Sequence, residues 1–146
     1  MRWLMLCSVV GFFLLGGCGK EASPSENLNH AQPISYQQQQ EYQAGIEAKR
    51  IAEKHRRVQK AVSIALKDQL TVGIKVTNFD RLYLSQTRAE VIGSLQKKFP
   101  DKKVKVTTDS KLFGVLENLE KMRAKGAIRA EDVEKRLEKV NLDMKR

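Results

Sequence analysis

Cysteine is almost missing from this chain: 146 residues hold only Cys7 and Cys18. Histidine is as scarce, with His30 and His55 alone. A cysteine-rich zinc site needs a cluster that is not here, and a nucleophilic triad needs an ordered base beside its nucleophile. His30 falls in a polar stretch poorly suited to holding catalytic geometry, and His55 sits among Lys54, Arg56 and Arg57 with no carboxylate evident beside it. Aromatic residues make up only 6% of the chain and do not interleave with its basic residues, as they do on platforms that stack single-stranded nucleic acid. The longest apolar run, from Trp3 to Leu15, is about 13 residues, against roughly 20 needed to cross a bilayer as a helix.

What the first residues do contain is a positive start at Arg2, that short apolar run, and small residues at its end, the three parts of an export signal. The run closes on Leu15-Gly16-Gly17-Cys18, which resembles the lipobox of bacterial lipoproteins. Small residues let an extended backbone enter a peptidase cleft, and the thiol is the nucleophile that takes the lipid. The resemblance implies cleavage between Gly17 and Cys18, with residues 1–17 as the signal peptide. It also implies membrane attachment through diacylglycerol and an N-acyl chain on Cys18. Two or more acyl chains, at about 0.8 kcal/mol per buried methylene, anchor stably where one is marginal. Cys7 would leave with the signal, so the mature chain has one thiol, no internal disulfide, and stability from packing alone.

Removing Arg2 with the signal leaves 26 basic against 17 acidic residues, a side-chain charge of +9. Such a bias favours anionic partners. An exported chain meets lipid headgroups, wall polymers and acidic proteins rather than cytoplasmic nucleic acid.

Residues 18–40 are poor in apolar side chains and rich in Ser, Asn, Gln, Pro and Glu, the composition of a flexible tether with a mean reach of about 25 Å. An amphipathic helix is predicted over 41–57. Two period-two stretches follow, Val62, Ile64 and Leu66, then Leu70, Val72, Ile74 and Val76, with a polar break at Lys67-Asp68-Gln69. Their matching parity favours an odd-numbered hairpin loop that keeps both sets on one core face. Thr87 and Glu90 have capping-box spacing at the start of a helix carrying Val91, Ile92, Leu95 and Phe99, which Pro100 ends. A third strand over 103–108, lying beside either the first or the second, leads to Thr108 or Asp109 as the cap of another helix. A charged helix over 131–145 closes the chain.

The expected fold is α+β: a two-layer α/β sandwich, its three-stranded sheet covered by helices on one face in αββαβα order, plus a C-terminal helix. The domain is placed at 41–125 and the charged helix at 126–146, with a slight lean towards a partner-binding role for the latter.

Residues Val72-Gly73-Ile74-Lys75-Val76, Phe79-Asp80-Arg81-Leu82, Phe99-Pro100 and Val104-Lys105-Val106-Thr107-Thr108-Asp109 resemble the YhcN/YlaJ family of sporulation lipoproteins, closer to its YlaJ-type branch. Thr107 stands where that pattern more often has Ser. The resemblance covers about residues 44–145 and implies a lipoprotein of endospore-forming bacteria, made in the forespore and held at the spore inner membrane. It implies a contribution to germination, with cortex-lytic proteins as candidate partners, and it supplies no catalytic residue, cofactor or metal.

Strand alternation places Lys75, Lys103 and Lys105 on one face of the sheet, making them candidates for binding an anionic membrane or wall polymer. Asp109 reads as a helix cap before it reads as a partner contact. Asp68 and Asp80 are the one carboxylate pair to consider for acid–base work, although loop aspartates are usually turn residues.

Overall fold

The structure is a computed structural model; it describes residues 35–145, within the compact unit Ala31–Arg146. The expected signal peptide, Gly17, Cys18 and the expected tether to residue 34 lie outside the described residues. In chain order come α1 (Tyr36–Glu53), β1 (Val58–Leu66), β2 (Gln69–Val76), a 3₁₀ turn (Phe79–Tyr83), α2 (Leu84–Lys98), β3 (Lys103–Thr107), α3 (Ser110–Ala124) and α4 (Ala130–Asp143). The α+β class and the αββαβα order with an added helix are as the sequence predicts.

Helix α1 begins five residues before the expected 41, because Ser35 and Gln38 cap it reciprocally. The Ser35 hydroxyl accepts from the Gln38 amide at 3.2 Å, and the Gln38 side chain accepts from the Ser35 amide at 3.0 Å. Residues 36–40 therefore belong to the domain and not to the tether.

The sheet runs β1-β2-β3, with β1 antiparallel to β2 and β3 parallel to β2, so the third strand lies beside the second. Leu66 pairs with Gln69, leaving Lys67 and Asp68 as a two-residue turn in which Lys67 takes a φ of 52°. The odd-numbered loop is thus corrected. Because Gln69 is already in the ladder, β2 is displaced by one residue relative to the expected pairing, and its side chains change faces.

Helices on one face is the second correction. Ala61, Ala65, Leu70, Val72, Ile74 and Val106 form a core with Ala48 and Ala52 of α1 and Val91 and Leu95 of α2. Val62, Ile64 and Leu66 project from the opposite face into a second core with Leu112, Phe113, Leu116 and Leu119 of α3 and Val133, Leu137 and Val140 of α4. The sheet is covered on both sides, in three layers rather than two. Small residues on β1 that look like an open face instead seat α1 closely: the Ser63 hydroxyl donates to the Gly45 carbonyl. On the other side Gly73 makes room for α3, since a Cβ there would come within 3.1 Å of Val62, 3.2 Å of Phe113 and 3.3 Å of Leu116.

The last helix is part of this domain. Gly126, at φ +64°, reverses the chain after α3, and the Ala127 amide donates to the Met122 carbonyl at 2.9 Å. Helix α4 then buries Val133, Leu137 and Val140 while Asn141 meets Thr71 and Gln69 of β2. Its apolar stripe is used within its own chain, which leaves its charged face outward.

Candidate functional site

Antiparallel β1 and β2 give the domain two distinct ends. The Lys67-Asp68 turn marks one, which also receives the start of α1 and the end of α3. The other holds the α1–β1 connection, the 3₁₀ turn and the start of α2.

At the hairpin end the polar groups are tied to each other. Glu41 is buried; one of its oxygens accepts from the Lys67 amide at 2.7 Å and the other from the Arg123 guanidinium at 3.2 Å. Arg123 also donates to the Ala65 carbonyl at 2.6 Å. Burial lowers the Arg123 pKa, with Glu41 opposing that shift. Lys67 pairs with Glu134, whose hydrogen bond raises the ammonium pKa. A groove of about 440 Å³ follows the free edge of β1 between α1 and α3, but Lys49 and Glu120 bridge it at 3.2 Å. The Arg123 contact to Ala65 further occupies that edge.

Alternation does put Lys75, Lys103 and Lys105 on one face, the face that α3 and α4 cover. Each meets a different environment. The Lys75 Nζ lies 4.4 Å from the Phe113 ring centroid, a cation–π contact. Lys103 binds Asp68 at 2.7 Å; their hydrogen bond raises the lysine pKa and lowers that of the carboxyl. Lys105 is partly buried and its pKa is lowered by desolvation, then by Lys145 and Lys103. The three do not share one open basic surface.

Asp109 is the α3 cap, accepting from the Leu112 amide at 2.8 Å. Asp68 and Asp80 belong to opposite ends of β2, some eight residues of strand apart, so they form no carboxylate pair. His55 does have a carboxylate: it meets Glu90, whose pKa is lowered first by that hydrogen bond and next by Gln86. Glu90 is therefore not part of a capping box with Thr87. Helix α2 starts three residues earlier, at Leu84, and the buried Thr87 hydroxyl has no hydrogen-bond partner among the described residues. No group of three His, Cys, Asp or Glu side chains among the described residues is placed to hold a metal.

Sequence reading treats 77–86 as plain connection and misses the feature that distinguishes the second end. Phe79 and Leu82 are 93% and 92% exposed. A 3₁₀ turn has three residues per turn, so positions 79 and 82 stand on one side, and 80 and 83 on another. That second side faces Arg57, which approaches Asp80 at 3.7 Å and lies 4.4 Å from the Tyr83 ring centroid. Thr77 also donates to Asp80 at 2.5 Å. The available signal was Phe-Asp-Arg-Leu-Tyr itself, three large apolar residues outside either strand or helix periodicity.

Comparison with protein-family models, curated proteins and solved structures finds no match.

Proposed function

We propose that the chain is a lipid-anchored, non-enzymatic accessory protein of the spore envelope, as its YhcN/YlaJ resemblance implies. In this reading acyl chains on Cys18 hold the domain at the outer face of the inner membrane. The domain contributes to germination by positioning or supporting cortex-lytic proteins. The observation that carries it is Leu15-Gly16-Gly17-Cys18 upstream of a domain that closes its own core on both sheet faces. Such a domain needs no second chain to bury its apolar faces and is suited to being presented at a surface.

The test is the mass of the native protein extracted from spore membranes. Acyl mass on Cys18, with release of Cys18→Ser into the soluble fraction, is the expected result. An unmodified Cys18 removes the anchoring claim. Pull-down of the lipidated protein is expected to retain a stoichiometric envelope protein at high salt. Cortex hydrolysis by the pure chain would overturn the non-enzymatic part.

A second reading, an anionic-surface module with no obligatory protein partner, is favoured by the +9 side-chain charge of the mature chain. It predicts binding to vesicles or wall polymer that weakens with salt, and no protein partner after a high-salt wash.

A further inference from the structure

We propose that the 3₁₀ turn Phe79–Tyr83 is a membrane-docking tip, with Phe79 and Leu82 entering the headgroup region of an anionic leaflet. The anchored reading above supplies its tether, while the tip itself rests on separate observations.

Four of these converge. Phe79 and Leu82 are the two most exposed large apolar side chains described, and the 3₁₀ repeat aims them together. The turn is braced from behind, as Arg57 holds both Asp80 and Tyr83, so the apolar pair is presented by a fastened segment. The unpaired charge within the turn and its flanking segments is basic. Asp80 and Glu90 are engaged by Arg57 and His55, whereas exposed Arg56, Arg81 and Arg88 make no ion pair among the described residues. Exposed apolar side chains with unpaired arginines in the same turn and the adjoining segments match a surface that is apolar within and anionic at its rim.

The fourth observation is reach. Helix α1 begins at the hairpin end and finishes beside the tip, about 27 Å away at 1.5 Å per residue over its 18 residues. From Cys18 to Ser35 the chain has 17 steps of at most about 3.3–3.6 Å, up to about 60 Å in all. Lipid on Cys18 and the tip can therefore touch the same leaflet. Two apolar side chains give only weak attachment in free solution. Tethering makes their insertion intramolecular, and a weak contact then suffices.

Mature chain contains no tryptophan, since Trp3 leaves with the signal, and Cys18 is its one thiol. The full mature chain carrying Phe79→Trp is coupled through Cys18 to a maleimide lipid, in vesicles of phosphatidylglycerol and phosphatidylcholine. Blue-shifted emission and quenching by brominated lipid are expected, weakening in high salt and in pure phosphatidylcholine. In uncoupled chain, Phe79→Ser and Leu82→Ser are each expected to weaken binding to the anionic vesicles by about tenfold or more, with the melting temperature retained. Water-like, unquenched emission from coupled Phe79→Trp overturns the proposal. So does a Phe79→Ser variant that loses an envelope protein in pull-down while the Phe79→Trp indole stays unquenched, which would make the tip a protein contact. Chemical coupling separates this test from natural lipidation: an unacylated native Cys18 defeats the anchoring claim and leaves the tip result standing.

Discussion

The two ends of the domain solve opposite problems with similar residues. At the hairpin end, Glu41, Arg123, Lys67 and Glu134 neutralise one another and close over backbone groups. At the tip end, Arg57, Asp80 and Tyr83 brace a short turn whose apolar side chains face outward. Ion pairing stabilises the fold in the first case and presents a surface in the second. Net charge alone does not distinguish them; what matters is which charges are already paired.

The largest expected effect comes from breaking the hairpin end. Arg123→Ala leaves the buried Glu41 carboxylate without its counter-charge and is expected to cost about 3 kcal/mol, read by denaturant unfolding. Adding Glu41→Gln to Arg123→Ala should recover part of that loss, because the stranded charge is gone. A cost for Arg123→Ala as small as that of an exposed ion pair would remove the contrast between the ends.

Next in size is Asp109→Ala at the tip end, expected to cost about 1 kcal/mol by loss of the cap on α3. Asp109→Asn should retain most of the stability, since it keeps an accepting oxygen.

Acid should produce a smaller, local change. The Glu90 pKa is lowered from its ordinary 4.5 by the hydrogen bond from His55. Its contribution is therefore fully present above pH 4.5 and is lost as pH falls through the depressed value. Amide exchange around His55 and the start of α2 should quicken over that window, and Glu90→Gln should flatten the change. Because Glu90 is exposed, the effect on global stability is minor.

Smallest of all is the cost of removing the tip's apolar pair. Phe79→Ser combined with Leu82→Ser should shift unfolding free energy by no more than about 0.5 kcal/mol, since neither side chain is packed. A substantial loss would mean that the tip is a structural element after all.

Which elements exist was legible in the sequence; how they are layered was not. Helical spacing at Val91, Leu95 and Phe99 and alternation at Leu70, Val72 and Ile74 report local burial, and both are found. Layering depends on the parity between Leu66 and Leu70, and that turns on whether Gln69 belongs to a loop or a strand. Both options leave the apolar sets intact and merely send them to the same face or to opposite faces. Lysine alternation was read correctly for Lys75, Lys103 and Lys105, but their common face is the one that α3 and α4 occupy. The Ser35–Gln38 capping box was written plainly in the sequence, though glutamine-rich surroundings concealed it. Phe79 and Leu82 were overlooked because no periodicity accompanies an outward-facing turn.

The Lys67-Asp68 turn carries a consequence for how this fold tolerates change in chain length. The pairing of Leu66 with Gln69, and not the number of residues between them, decides which side chains β2 sends to α1 and which to α4. A residue inserted in the turn would lengthen the loop and leave every layer as it is, whereas one inserted within β2 itself would exchange the faces beyond it. Natural length variation should therefore collect at the turn and be absent from the strand.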